Sequence, residues 1–352
     1  MEVKVERTGF VLEGNYVEKY SLVNDHGFEI TLSNFGCTLM NFYWPARGGA
    51  AQDILLGYDS IEKWFDDKSF FGSTAGRCCN RIRNSKIKNS DHEYQLTSNI
   101  PPHQIHGGIN GFNKKIWRAI PFSLDNEAGV NLYYNSKHME EGFPGNLSVQ
   151  ATITLDNENQ LKIEYKAISD ALTVCNLTSH PYFNLDGSQT ILNHKLWVDA
   201  NYITEIDSSI LTTGVILPIK NTPFDFLEAK KIGPQLNSFH PQITLADGID
   251  HNYVLNHQSP HVPMAYLESE HSLRKIVFFT NQPGIQLYTG NHLSSIGKKG
   301  ISYPKHGGIC LETQGFPDAA NISSFPSVLL KEDEQYYSIT IIKCEEVTQV
   351  SN

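Results

Sequence analysis

The sequence predicts an all-β fold, a large antiparallel β-sandwich, and three observations carry that expectation. Apolar and polar residues alternate with the two-residue period of half-buried strands. Gly, Pro, Asn and Asp punctuate the chain at short intervals throughout, as turns between short strands do. Convincing helical stretches are few, and no alternation of strand and helix suggests a doubly wound parallel sheet.

The elements follow in chain order. Phe28–Leu32 is the first short strand-like run. Asp59-Ser60-Ile61-Glu62 has the spacing of a capping box and predicts one or two helical turns. In the middle of the chain Leu147, Val149, Ala151, Ile153 and Leu155 alternate with Ser148, Gln150, Thr152 and Thr154. After the polar turn Asp156-Asn157-Glu158-Asn159 the pattern resumes at Leu161, Ile163, Tyr165 and Ala167. That is a hairpin with one buried face. Leu172 to Thr178 predicts a strand, and a second capping-box pattern at Asp225-Phe226-Leu227-Glu228 predicts another short helix. Lys275–Thr280, Ile285–Tyr288 and Tyr337–Ile342 complete the strand-like runs. No linker, low-complexity segment, charge block or clean internal repeat divides the chain, so one domain over residues 1–352 is expected.

Composition narrows the function classes. Lys plus Arg total 28 against 38 for Asp plus Glu, a formal charge of −10. Such a surface draws neither nucleic acid nor anionic membrane. No run of about 20 apolar residues predicts a membrane span. The first residues, Met1-Glu2-Val3-Lys4-Val5-Glu6-Arg7, lack the apolar stretch of a secretory signal, and a cytoplasmic location is expected. The six cysteines, Cys37, Cys78, Cys79, Cys175, Cys310 and Cys344, form no C-x-x-C pair. In apolar runs they read as reduced, structural thiols.

Several segments carry chemistry. Glu312, in Gly308-Ile309-Cys310-Leu311-Glu312-Thr313-Gln314, and His180, in Leu177-Thr178-Ser179-His180-Pro181-Tyr182-Phe183, suggest a general base and a general acid. Pro181 biases His180 towards an extended backbone at a strand end, which suits delivery into a cleft. Taken singly, each is equally at home as a paired strand residue or a core histidine. Gly107 and Gly108 follow His106 and predict a backbone bend that brings His106 to a ligand, since the spacing is not that of a phosphate loop. His103 and His106 offer a metal pair, but no third ligand stands at a recognisable spacing, so neither metal nor cofactor is expected. Arg81, in Gly76-Arg77-Cys78-Cys79-Asn80-Arg81-Ile82, is a hydrogen-bonding fork or a surface charge; Asp250 is a site carboxylate or a turn residue before a strand. Gln286 and Tyr288 share one strand face, as do Cys310, Glu312 and Gln314. Tyr182, Tyr288 and Trp117 are candidates for stacking on a ligand or for the core, whereas Phe183 reads as core.

Six of these segments, in order, resemble the aldose 1-epimerase (galactose mutarotase) family: 76–82, 105–117, 177–185, 250–255, 283–291 and 310–330. The resemblance they carry spans the chain from about residue 30 to 342. The resemblance implies the family's galactose mutarotase-like supersandwich and acid–base ring opening of free aldohexoses such as D-galactose and D-glucose. It implies Glu312 as general base, His180 as general acid and His106 as a second catalytic histidine. Asn80, Arg81, Asp250 and Gln286 are implied as sugar ligands. Departures stand at Cys78-Cys79, at Asn89-Ser90-Asp91-His92 in place of a glycine turn, and at Gly315-Phe316. They bear on sugar preference, not on the reaction.

Two further readings stay open on the residues alone. One is a carbohydrate-binding relative without turnover, which has no need of an acid–base pair. The other is an epimerase of a derivatised sugar such as a hexose 6-phosphate, which calls for converging cations; Arg77, Arg81 and Arg83 are the nearest to a cluster. The chain is expected as a monomer or homodimer. An ionised Glu312 beside His180 is expected to favour the imidazolium.

Overall fold

The computed structural model describes residues 1–46, 49–89 and 92–347. Strands take 49% of the chain against 8% for helices, which settles the all-β class. The backbone of the sandwich is a nine-stranded antiparallel sheet. Its order runs from Arg118–Ser123 and Glu127–Ser136 through Leu147–Asp156 and Gln160–Ser169 to Gln335–Glu346. Arg274–Thr280, Ala265–Ser269, Lys195–Val198 and Lys230–Lys231 then follow. The predicted hairpin forms its third and fourth strands, with Leu155 opposite Leu161 and Ile153 opposite Ile163. Leu147, Val149, Ala151, Ile153, Leu161, Ile163, Tyr165 and Ala167 are all buried on its inner face.

A six-stranded antiparallel sheet holds Tyr182–Phe183, Ile309–Gln314, Gly284–Tyr288, Asp250–Leu255, Ala200–Ile206 and Thr212–Pro218, in that order. A five-stranded sheet is built by the first five strands, from Glu2–Leu12 to Gly49–Asp53. One apolar cluster joins all three: Leu22, Ile30 and Leu32; Ile153 and Ile163; Tyr253, Ile285, Leu287, Ile309 and Leu311. At about 25 cal/mol per Å² of apolar area removed from water, this interlayer burial is the main force holding the sheets together. It also explains why the outer faces of the same strands are free to carry polar chemistry.

The first capping-box pattern is followed by the expected single helical turn, though without the capping contact, and the second opens no helix. The first helical turn is Glu62–Phe65 with Ile61 at its cap position, and Asp59 instead accepts from the Lys299 amide. Residues 225–228 form no helix; Phe224 and Phe226 are both buried, and the Phe226 carbonyl accepts from Val198 N. Residues two apart share a face only in extended backbone, so tertiary anchoring overrides the local signal. The strand expected over Leu172–Thr178 forms as two short pieces, Thr173–Val174 and Thr178–Ser179, paired with different partners. Helices Ile232–Leu236 and Pro241–Ala246 lack a predictive signature, the second being capped by the His240 side chain. The departure at Asn89–His92 falls partly on Ser90 and Asp91, which lie outside the described residues. All six cysteines are free and buried, as read. Among the described residues, no helix is long and apolar enough to cross a membrane.

Candidate functional site

Strand register assembles the site. On the six-stranded sheet Asp250 lies opposite Tyr288, Gln286 opposite Glu312, and Tyr288 opposite Cys310. Ile285, Leu287, Ile309 and Leu311 point into the core, so Gln286, Tyr288, Cys310 and Glu312 share the opposite face, as alternation predicts. A cleft of about 270 Å³ opens over this face, lined by Tyr182, Asp250, Tyr288 and Glu312 from the sheet and by Phe70, Asn80, Arg81, His106 and His180 from other segments.

His180 follows directly on the short strand Thr178–Ser179. Its amide donates to Ser73 O and its carbonyl accepts from Gly72 N, both at 3.0 Å. Its Nε2 comes within 3.5 Å of Glu312 Oε1, joining groups 132 positions apart in the chain (312 − 180). His106 has φ +50°, a left-handed backbone. Gly107, at φ +88°, makes the bend possible, because a Cβ there would stand 1.8 Å from Gly76 O. His106 and Asn80 bind reciprocally, His106 N donating to Asn80 O at 3.0 Å and Asn80 N donating to His106 Nδ1 at 3.3 Å. The His106 and His180 rings meet edge-on at 5.1 Å, and one ligand atom from each of His106, His180 and Glu312 lies within 4.8 Å of the others. His103 does not join them; its Nδ1 accepts from Asn84 N.

The floor is polar and mutually held. Gln286 Nε2 donates to Asp250 Oδ1 at 2.6 Å, and Arg81 Nη2 lies 3.4 Å from Asp250 Oδ2. Asn80 Oδ1 accepts from the Arg81 amide at 2.7 Å. Among the described residues, Gln286 Oε1 and Glu312 Oε2 are buried without a hydrogen-bond partner, two acceptors on adjacent strands suited to hydroxyl donors. Of the seven residues predicted for the site, Asn80, Arg81, His106, His180, Asp250 and Glu312 line one cleft, and Gln286 joins them through its bond to Asp250. The three arginines do not converge: Arg77 is buried against carbonyls of Ser136, Lys137, Pro144 and Gly145, and Arg83 pairs with Asp207 and Asp318.

Burial dominates the electrostatics. It pushes Glu312 well above the usual carboxylate range, with Asp250 adding to the rise and Arg81 opposing it. It lowers His180 to about 4, against a smaller upward pull from hydrogen bonding and Asp250. His106 is pushed well below the ordinary imidazole value by burial, His180 and Arg81. The expected rise of His180 beside a carboxylate is therefore corrected: desolvation of the charged ring outweighs attraction. Both shifts disfavour charge on the pair: burial opposes the carboxylate on Glu312 and the imidazolium on His180 alike.

Phe70 carries no sequence signal, yet its ring packs 4.7 Å from His106 and 6.1 Å from His180. Tyr182 lines the cleft beside His180 at 5.1 Å, while Phe183 is core. Trp117 is core too, packed on Phe112 and Tyr134. A larger cavity, about 340 Å³ beside Tyr43, Asn184 and Tyr303, lies away from these groups. Its buried Lys298 is already bound to Asp53, Met40 O and Leu55 O.

The same arrangement of segments has known counterparts. The family model described as aldose 1-epimerase matches residues 18–343. A galactose mutarotase from Rattus norvegicus is 37% identical over 334 residues, 94% of each chain. An aldose 1-epimerase from Escherichia coli is 30% identical over 93% of this chain and 95% of its own. Among solved structures, a galactose 1-epimerase from Lactobacillus acidophilus superposes with a TM-score of 0.87 at 29% identity, covering 99% of both chains. An aldose epimerase homologue from C. elegans gives 0.86 at 30% identity, over 93% of this chain and 98% of that one. With the family model spanning nearly its whole length, this chain belongs to the aldose 1-epimerase family, isomerases that interconvert the α and β anomers of aldoses.

Proposed function

We propose that Glu312 is the general base and His180 the general acid of this isomerase, acting on free aldohexoses, D-galactose first and D-glucose also. The observation that carries the assignment is the approach of His180 Nε2 to Glu312 Oε1 at 3.5 Å inside a buried cleft. Loss of the O1 proton to Glu312 and gain of a proton by the ring oxygen from His180 breaks the bond between C1 and that oxygen. The ring opens to the aldehyde, the C1–C2 bond rotates, and the oxygen adds back to the other face of C1 while both protons return. No metal or cofactor is needed for this exchange. Each positioned proton transfer contributes about 10²–10⁴ in rate.

His106, at the same cleft, is assigned to the ring oxygen or its neighbouring hydroxyl: burial keeps the ring neutral, and with Nδ1 accepting from Asn80 N its Nε2 carries the proton and serves as donor. Asn80, Arg81, Asp250 and Gln286 are assigned to binding and orienting the hydroxyls. Relatives named for galactose and for aldoses support the free sugar. Against a sugar phosphate stands the divergence of Arg77 and Arg83 from the cleft, which leaves Arg81, already paired with Asp250. The whole chain is proposed as one domain working in the cytoplasm as a monomer or homodimer. The test is anomer equilibration of free galactose by wild type, Glu312→Gln and His180→Asn, with and without a chelator. Loss in both variants and indifference to the chelator are expected; a full rate in either variant contradicts its role.

A further inference from the structure

The mechanism so far leaves one buried group beside the reacting pair idle. Cys310 Sγ lies 3.6 Å from Nδ1 of His180, on the side of the ring away from Glu312. Among the described residues this is the hydrogen-bond partner that Nδ1 has. Position fixes the contact: Cys310 and Glu312 are alternate residues of Ile309–Gln314 and share its cleft face. Tyr182 and Tyr288 stand opposite Cys310 on the two flanking strands, and the Tyr182 ring packs on His180.

We propose that the Cys310 thiol is a positioning residue for His180: its sulfur accepts the Nδ1 proton, fixes the ring, and so makes Nε2 the nitrogen through which the catalytic proton passes. This rests on the assignment of His180 as the general acid. The partner of one imidazole nitrogen decides which tautomer the other presents. An imidazolium that gives up its Nε2 proton keeps the proton on Nδ1, so Nδ1 needs an acceptor before and after transfer. A carboxylate at that place would also accept, but its charge would hold the proton on the ring and weaken the acid. A thiol accepts weakly without charge. Burial keeps this thiol protonated and neutral, pushing it well above its ordinary value. The combination orients the ring while leaving the imidazolium a strong acid, as protonation of a weakly basic ring oxygen requires.

The test separates hydrogen bonding from packing. Cys310→Val fills the space without an acceptor; Cys310→Ser keeps the acceptor in a similar volume. With folding checked by thermal melting, Cys310→Val and Cys310→Ala are expected to lower kcat about ten-fold with KM within two-fold, and Cys310→Ser to recover most of the loss. A Val variant as fast as wild type, or a Ser variant as slow as Val, overturns the proposal and leaves the thiol a packing group. His180→Asn is run alongside: if it keeps the wild-type rate, the acid assignment itself fails, whatever the cysteine variants show.

Discussion

At the scale of single residues, Glu312 and His180 are buried away from the water that would solvate their charged forms. Burial raises the one and lowers the other, and linkage gives both shifts a consequence for stability. Glu312, with its folded value raised, contributes stability that is present below the ordinary carboxylate range and lost as pH rises through the raised value. His180, with its folded value lowered to about 4, contributes stability present above about 6.5 and lost as pH falls towards 4. Glu312→Gln is therefore expected to match wild type in melting temperature near pH 4 and to exceed it increasingly as pH rises. A difference that is constant with pH would contradict the buried ionisation. In activity, the proposed roles require one group protonated and the other not, so kcat/KM is expected to fall on both sides of a bell as pH is varied; a flat profile from pH 5 to 9 contradicts the pairing. The grouping of the seven proposed residues was legible because each sits in a distinctive local pattern. The direction of the His180 shift was not, since it depends on burial, and burial depends on everything folded around the ring. Phe70 was invisible for the same reason: one aromatic among many becomes a cleft wall only through the turn anchored by Asp67, whose carboxylate accepts from Ser69 N and Phe71 N.

At the scale of elements, the site is a matter of register. A one-residue slip of Ile309–Gln314 would turn Glu312 into the core and Leu311 into the cleft. The strand itself was readable from its apolar run, and so was the hairpin over Leu147–Ser169, where alternation is uninterrupted. Leu172–Thr178 was misread as continuous because propensity does not report a change of partner, and here the chain passes from Leu329–Leu330 to Thr74–Ala75. The bend after His106 tests the link from turn to chemistry. Gly107→Ala forces a side chain into φ +88° and against Gly76 O. It is expected to cost about 1–3 kcal/mol in urea unfolding and to lower kcat/KM by displacing His106. An unchanged kcat/KM would detach the bend from the site.

At the scale of the molecule, the sandwich brings residues from 80 to 312 onto one face because three sheets share one core. That convergence cannot be derived from any single segment, and the order of segments along the chain was its only trace in the sequence. Core and site should then separate experimentally. Ile163→Ala, in the hairpin, is expected to lose about 2–5 kcal/mol of stability while leaving KM unchanged in the folded fraction, measured by urea unfolding alongside steady-state kinetics. The central claim is an acid–base isomerase working through Glu312, and polarimetry tests it most directly. Freshly dissolved α-D-galactose and α-D-glucose would be followed with wild type and with Glu312→Gln. Rapid equilibration by wild type, reduced about 10²–10⁴-fold in the variant, is the predicted result. No acceleration of either sugar by folded wild type, or a variant as fast as wild type, would contradict the account.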